Sequence, residues 1–164
     1  MKRLIITMTV IGAIAMTSCS TALDLLLQPL PTLADFTTTN ITTKLIGCSK
    51  VGHTATITFE ITNHSNFDEK ISIGRGNVKL YDNVGYIYDS RNSNITIGIG
   101  GDKQGGSATA IFPQKVPVSV TIMINDIASN ATHFRVIEVG ASSSGRMKLN
   151  PANPIIIRNI AWGR

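Results

Sequence analysis

The sequence predicts a single antiparallel β-sandwich, and three observations support this prediction. Residues 54–61 (TATITFEI) alternate between apolar and polar side chains, and residues 118–125 (VSVTIMIN) repeat the pattern. Such alternation is typical of strands that have one buried and one solvated face. Turn-forming residues recur about every 8–12 residues, which is the spacing of strands in sandwiches and small barrels. No window of helical length has a 3.6-residue apolar period.

The strands are expected in order along the chain from residue 38. Besides the two alternating segments, the candidates are 38–46, 70–73, 77–82, 85–89, 94–99, 106–112, 133–139 and 154–161. Clusters of Asn, Asp, Gly, Ser and Pro separate them, as turns require. The best candidate for helical structure is a turn near Asp126–Asn130. With no internal repeat of 20–50 residues, a solenoid or propeller is not expected.

The first 18 residues have the layout of a secretory signal peptide. Two basic residues precede an apolar run of 13 residues, Leu4–Met16, and small polar residues follow it. The run is too short to cross a bilayer, which takes about 20 residues in a helix. We therefore expect a signal peptide over 1–18, a proline-interrupted tether over 19–36 and one folded domain over 37–164.

Two cleavage sites compete at the end of the signal. Residues 16–19 (MTSC) resemble a bacterial lipobox, in which a cysteine behind small residues is diacylated and becomes the new N-terminus. Met16 departs from the usual leucine of that motif. Residues 20–22 (STA) fit general signal peptidase cleavage after Ala22, without a lipid. Lipidation of Cys19 is favoured because the cysteine falls where the apolar run ends, and acyl chains such as palmitate would hold the domain to a membrane.

Length and charge indicate one globular domain without a nucleic-acid partner. Removal of 18 residues from 164 leaves 146, enough to bury roughly 68–70% of the unfolded surface. The formal net charge falls from +5 to +3 when the two basic residues of the signal are removed. The remaining lysines and arginines are scattered, whereas a nucleic-acid surface needs a clustered basic footprint.

The role of Cys48 depends on the fate of Cys19. If both cysteines are kept, they are able to form a disulfide in an oxidising compartment. If Cys19 is cleaved off or acylated, Cys48 is alone at the end of an apolar stretch. We then expect a small buried apolar residue, with a reactive thiol as the alternative.

Four segments, taken in order, resemble the bacterial telokin-like, immunoglobulin-sandwich domains of secreted proteins and lipoproteins. They are TITFEITN (56–63), VKLYDNVGYIY (78–88), FPQKVPVSVTIMINDI (112–127) and ATHFRVIE (131–138). The resemblance covers about residues 40–160 and implies an immunoglobulin-like sandwich that serves extracytoplasmic binding or scaffolding. It supplies no site residues, because the family is largely of unknown function and has no agreed active site.

Two loops carry the candidate binding residues. The 81–88 hairpin holds all three tyrosines of the chain, and Tyr86 and Tyr88 are candidates for an aromatic contact surface. The alternative for them is cross-strand packing within the hairpin. The glycine-rich loop 98–106 holds Asp102 and Lys103, and we expect a mobile hairpin loop that is a candidate for binding on a rigid scaffold.

No metal, cofactor or catalytic site is expected. The three histidines lack the spacing of metal ligands, and the aspartates lack the dense pattern of a Ca²⁺ loop. The glycine-rich loop lacks the GxxxxGK[ST] pattern, and neither G-x-S-x-G nor S-x-x-K occurs.

Together these features predict a non-catalytic binding or assembly module, lipid-anchored on the extracytoplasmic side of a bacterial envelope. The membrane would be the outer one where the host has one, and the partner an unidentified protein or glycan. One alternative is a secreted domain cleaved after Ala22. A second is a hydrolase, which needs an acidic pair about 5–10 Å apart in a cleft. A third is a strand-exchanging subunit, which needs an unpaired edge and a donor strand; residues 20–35 are a poor donor because prolines interrupt them.

Overall fold

The computed structural model describes residues 32–35, 40–103 and 105–163, with the backbone alone at 32–35 and 102–103. These residues form an all-β fold without a helix. Eleven strands make two antiparallel sheets, whose apolar faces pack together as a β-sandwich. The predicted fold class is confirmed at this level.

The strand bounds, in chain order, are β1 (Thr32–Asp35), β2 (Ile41–Val51), β3 (Thr54–Asn63), β4 (Glu69–Asp82), β5 (Ile87–Tyr88), β6 (Ile95–Ile99), β7 (Asp102–Lys103), β8 (Ser107–Phe112), β9 (Pro117–Ile124), β10 (His133–Ser143) and β11 (Ile155–Ala161). The first sheet, sheet A, has the order β1-β11-β10-β4-β5, and β8 pairs with the first half of β4. The second, sheet B, has the order β2-β3-β9-β6-β7.

The alternation in β3 and β9 places one face of each strand in the core, as predicted. Every second residue of β3 is buried, and β9 buries three residues in the same way: Ala55, Ile57, Phe59 and Ile61 in β3, and Val120, Ile122 and Ile124 in β9. Each large aliphatic or aromatic side chain that is fully buried contributes about 1.5–3 kcal/mol to folding. These central strands therefore supply much of the core on which sheet A packs.

A one-residue bulge in β2 turns Cys48 into the core. Leu45 pairs with Phe59 and Gly47 pairs with Thr58, so Ile46 is the extra residue. A side chain displaced by one position moves to the other face of a strand. Ile46 is accordingly exposed, and Cys48 faces inward and is buried.

A larger irregularity interrupts the pairing of β4 with β10. Val78 pairs with Val139 and Ile73 pairs with Ala141, so residues 74–77 of β4 lie opposite Gly140 alone. Four residues against one form a wide bulge in β4 at this point. The sequence predicts two strands here, 70–73 and 77–82, and the structure joins them into one, β4.

The turn near Asp126–Asn130 is not helical, so that prediction is wrong. Asp126 has a φ of +65°, outside the right-handed helical region. The amide of Ile127 donates to the carbonyl of His53 at 2.9 Å, and the Ile127 side chain is fully buried. Contacts with the β2–β3 turn thus set the path of this connection between the two sheets, which local propensity does not reveal.

The two ends of the sandwich differ in the turns that form them. We call the end built by the β2–β3 turn, the β4–β5 turn and the β9–β10 connection the Tyr86 end. Backbone hydrogen bonds join its turns, from Ile127 to His53 and from Asn83 to His133, at 2.9 and 3.1 Å. The opposite end carries the β6–β7 and β8–β9 turns and the connection from β10 to β11.

Candidate functional site

Asp82 organises the β4–β5 hairpin from within. Its Oδ1 accepts the amides of Val84 and Tyr86, each at 2.9 Å, and its Oδ2 accepts the Tyr88 hydroxyl at 2.7 Å. The residue is 1% exposed. An aspartate that accepts amides of the following residues stabilises a tight turn, so this carboxylate is committed to holding the hairpin.

Tyr88, a predicted contact residue, lies inside the sandwich. Its hydroxyl also accepts the Ala128 amide at 3.1 Å, which ties the hairpin to the β9–β10 connection. Its ring packs edge-to-face on Phe134, and Phe134 packs in the same way on Trp162. Burial raises the pKa of the Tyr88 phenol to about 12. Its surroundings are those of cross-strand packing.

Tyr86, the other predicted contact residue of the hairpin, is at the surface. It is 59% exposed, and its neighbours Val84 and Ile87 are also exposed. Gly85 between them has a φ of +97°, a conformation that glycine adopts without steric cost. The hairpin therefore presents an apolar tip on a turn that Asp82 holds rigid.

Asp102 and Lys103 lie far from Tyr86. They form β7, where Asp102 pairs with Ile99 and Lys103 with Gly98. Strand β6 begins at Ile95 near the Tyr86 end and runs away from it toward Ile99. The structure therefore places the two predicted binding loops toward opposite ends of the sandwich.

Two further acidic residues hold loops rather than face a cleft. Glu69 is 1% exposed, and its carboxylate accepts the amides of Gly145 and Arg146 at 2.8 and 3.1 Å. Asp89 makes an ion pair with Arg91 at 2.6 Å. The hydrogen bond from the Arg91 side chain lowers the pKa of the Asp89 carboxyl.

Cys48 has the environment of a buried structural residue. It is 8% exposed, and burial raises the pKa of its thiol to about 12. Thiolate is the reactive form of cysteine, so this thiol is unreactive at neutral pH. Cys19 lies outside the described residues.

The bulge of β4 forms one wall of a cleft on the outer face of sheet A. The cleft has a volume of about 260 Å³ and is lined by Gly76, Asn77, Lys79, Glu138, Pro151, Ala152 and Pro154. Gly140 allows its walls to meet closely, since a Cβ there would lie 2.8 Å from the Pro151 carbonyl oxygen and 2.9 Å from the Asn77 Cβ. Bulges of this kind often re-aim side chains beside binding sites.

Opposite charges face this cleft without neutralising each other directly. Lys79 and Glu138 are paired in register, so their side chains emerge side by side on the same face. The Lys79 ammonium and the Glu138 carboxylate do not come within the 4.0 Å of an ion pair; among the described residues, Asp89 and Arg91 do. The cleft therefore offers an ammonium and a carboxylate to a ligand.

The cleft is not apparent from the sequence. Lys79 is one of several scattered basic residues, and Glu138 lies some sixty positions later in the chain. The available signal was the pair of glycines around residues 74–76 within an otherwise strand-like stretch, since glycine inside a strand often marks a bulge. That Glu138 lies beside Lys79 follows only from the pairing of β4 with β10.

Among the described residues, no group of three or more His, Cys, Asp or Glu is arranged to hold a metal ion. The same residues include no helix of the length and apolar character that a bilayer crossing needs. Comparison with protein-family models, with curated proteins and with solved structures gives no match for this chain.

Proposed function

We propose that this chain is a lipid-anchored, extracytoplasmic binding domain of the immunoglobulin-like class, without catalytic activity. Cys19 carries the acyl chains, residues 19–36 form the tether, and residues 37–164 form the domain; β1, at the end of the tether range, pairs with β11 of the domain. The domain lies on the extracytoplasmic side of a bacterial membrane, which is the outer membrane where the host has one. A protein or glycan ligand occupies the cleft between Lys79 and Glu138.

The order of the strands supports the immunoglobulin-like class. Constant-type immunoglobulin domains have strands A-B-E-D in one sheet and C-F-G in the other. Here β2-β3-β9-β6 matches the first set, and β4-β10-β11 matches the second. The same assignment makes β5 and β8 additions beside strand C.

The cleft on sheet A carries the proposal of binding. Its two facing charges are supplied by adjacent strands of a rigid sheet, while its prolines give it a fixed rim. Binding sites combine apolar walls with a small number of placed polar groups. At about 260 Å³ the cleft lies just below the roughly 300–1,000 Å³ of drug-sized pockets, so it suits a short polar segment.

The chemistry of the cleft indicates what such a segment carries. The Lys79 ammonium pairs with a carboxylate or another acceptor, and the Glu138 carboxylate with an ammonium or hydroxyl group. Peptides offer this combination through their two termini, and sugar derivatives offer it as well.

Titration with a panel of tripeptides and envelope-derived disaccharides, followed by NMR of the ¹⁵N-labelled protein, tests the cleft. We expect at least one probe to shift the amides of residues 76–79 and 151–154. Lys79→Ala or Glu138→Ala should weaken its binding at least tenfold. Lys70→Ala, on the same strand but outside the cleft, is the matched control and should bind normally. Shifts elsewhere, or binding indifferent to both cleft variants, would contradict the assignment.

The anchor is tested separately by metabolic labelling with an alkyne fatty acid in a bacterial host. We expect label on the wild-type chain and none on Cys19→Ala. Absence of label on the wild type, or equal label on the variant, would show that Cys19 is not acylated and would favour cleavage after Ala22.

The cleft also bears on the hydrolase alternative. That alternative needs two carboxylates about 5–10 Å apart in a concave site, whereas Glu138 stands opposite a lysine in this cleft. The observation favours binding over hydrolysis for this part of the surface.

A further inference from the structure

We infer that the Tyr86 end of the sandwich rests on the surface of a lipid bilayer. The inference builds on the proposed anchor at Cys19 and adds an orientation to it. It assigns a role to the exposed apolar tip of the β4–β5 hairpin, which the sheet A cleft does not use.

The first observation is where the chain enters the fold. Strand β1 pairs antiparallel with β11, with Thr32 opposite Arg158 and Asp35 opposite Ile156. Because β11 runs toward Ala161, which pairs with His133 at the Tyr86 end, Thr32 is the residue of β1 nearest that end. Strand β1 therefore begins on the side of sheet A that faces the Tyr86 end.

The length of chain between the anchor and the domain indicates which end of the sandwich lies closer to the membrane. Twelve residues, 20–31, separate Cys19 from Thr32, and a chain of that length spans at most about 45 Å when fully extended. Strand β10 has 11 residues, so at about 3.3 Å per residue it is about 35 Å long. To bring the opposite end to the bilayer, the connecting chain would have to run back along most of the sandwich.

The second observation is the distribution of exposed apolar side chains. Four of the seven large apolar residues that are exposed in the described chain lie at the turns of the Tyr86 end: Val51, Val84, Tyr86 and Ile87. Val51, beside the β2–β3 turn, is 80% exposed. Exposed apolar clusters mark interaction surfaces, and tyrosine is enriched at the interface between bilayer and water.

The arrangement of these residues fits a flat surface. The β2–β3 turn belongs to the edge of sheet B, and the β4–β5 turn belongs to the other edge of sheet A. The apolar tips therefore stand at opposite corners of the end, with the polar β9–β10 connection between them. A flat surface such as that of a bilayer reaches both corners at once.

Because the anchor already holds the domain at the membrane, a weak contact between the Tyr86 end and the bilayer is sufficient to orient it. Two segments joined by a short chain meet at a high effective concentration, so a second contact forms without strong affinity of its own. Insertion of Tyr86 and its neighbours into the headgroup region would then hold the domain upright. The sheet A cleft would remain on the side of the sandwich, open to a ligand in the surrounding space.

Site-specific fluorescence quenching tests the orientation. Tyr86→Cys and Val116→Cys are each labelled with bimane. The label goes to the introduced cysteine alone, because Cys48 is buried and the pKa of its thiol is raised to about 12. Val116, 48% exposed at the opposite end, is the matched control. A chain that begins at Ser20, and so lacks the signal peptide and Cys19, is held on vesicles of phosphatidylglycerol and phosphatidylethanolamine by an N-terminal histidine tag and a nickel-chelating lipid. Nitroxide-labelled lipids should quench residue 86 at least twofold more than residue 116.

The outcome is independent of acylation, because the tag replaces the lipid at the same place in the chain. Equal quenching at the two positions, or stronger quenching at residue 116, would overturn the inferred orientation even if Cys19 takes up fatty acid. Stronger quenching at residue 86 supports the orientation even if the fatty-acid labelling fails, in which case the anchor alone is wrong.

Replacement of the tip provides a second measurement. The Val84→Ser, Tyr86→Ser, Ile87→Ser variant, with bimane on Val51→Cys, should lose at least half of the quenching at residue 51. The control pair Ile111→Ser and Val116→Ser removes exposed apolar side chains elsewhere and should leave that quenching unchanged. Equal effects of the two sets would contradict a contact made by the tip.

Discussion

At the scale of single residues, Asp82 is the side chain on which the exposed hairpin depends. It accepts two amides and one hydroxyl while nearly fully buried. Asp82→Ala leaves these donors without their acceptor, and each buried unsatisfied group costs about 1–3 kcal/mol. We expect a loss of about 3 kcal/mol in the free energy of unfolding, measured by urea denaturation.

Asp82→Asn is the matched control for this prediction. The amide oxygen replaces Oδ1 as acceptor for Val84 and Tyr86, whereas the amide nitrogen faces the Tyr88 hydroxyl. We expect a loss of about 1 kcal/mol, since one hydrogen bond to a charged group is weakened. Equal losses in the two variants would show that the bonds from the Val84 and Tyr86 amides to Oδ1 do not account for the loss of stability.

Cys48 makes the stability of the protein sensitive to alkaline pH. Its pKa is raised from 9.0 to about 12 in the folded protein by burial, so the unfolded chain releases the proton first as the pH rises. The unfolded state then binds fewer protons, and the free energy of unfolding falls with increasing pH. The stability contributed by the neutral thiol is complete below about pH 9 and is lost between pH 9 and pH 12.

The measurement compares wild type with Cys48→Ala at pH 8 and pH 10. Ionisation of the thiol in the unfolded chain should lower the stability of the wild type relative to the variant by about 1.4 kcal/mol over this interval. The pKa of Tyr88 is also raised to about 12, and the titration of this residue affects both proteins alike. A difference between the two proteins that does not change with pH would contradict the prediction.

At the scale of elements, the β4 bulge and the glycine opposite it act as one unit. In Gly140→Ala the new methyl group would meet backbone and Cβ atoms at 2.8–3.2 Å, and such overpacking costs about 1–3 kcal/mol. We expect a loss of about 2 kcal/mol in stability, together with loss of the ligand binding that is proposed for the cleft. Chemical denaturation and the NMR titration measure these two effects.

Gly76→Ala is the control on the other wall of the same cleft. A Cβ at Gly76 would meet nothing within 4 Å, and this glycine is not among those with a positive φ. Its stability should be unchanged or slightly higher, because alanine restricts the unfolded chain. If both alanine variants behave alike, close packing of Gly140 is not what shapes the cleft.

At this scale the sequence predicts where most strands lie, but it does not predict which neighbouring segments join into one strand. The alternation of β3 and β9 and the turn at residues 82–85 are local features, and the structure has them where the sequence predicts them. The union of 70–73 and 77–82 into β4 depends on pairing with β10 and β8, which sit far away in the chain. The bulge that forms the cleft therefore has no complete local signature.

At the scale of the whole molecule, the two sheets share one core, so we expect the domain to unfold as a single unit. Trp162, the one tryptophan of the chain, packs on Phe134 at the Tyr86 end and reports on that end alone. Far-ultraviolet circular dichroism reports on all strands. Denaturation curves from the two signals should coincide, as for small two-state domains; separate midpoints would show that the Tyr86 end unfolds independently.

The positions of the candidate sites relative to each other also belong to this scale. Tyr86 and Lys103 are 17 positions apart in the chain, which makes them look like neighbours, yet β6 carries the chain away from one end of the sandwich before β7 begins. Lys79 and Glu138 are distant in the chain but adjacent in sheet A. Proximity in a sandwich follows strand order, and strand order is not written in any local pattern.

The sequence by itself determined the β-sandwich and most of its strands, because alternation and turn chemistry are local. The export signal and the anchor at Cys19 stay predictions from the sequence. The tertiary structure decided that Tyr88 packs inward while Tyr86 stays exposed, that the 126–130 segment is a tertiary connection, and that Lys79 and Glu138 meet in a cleft. These outcomes depend on pairing and burial between distant segments. The energies of such contacts exist only once the sheets have come together.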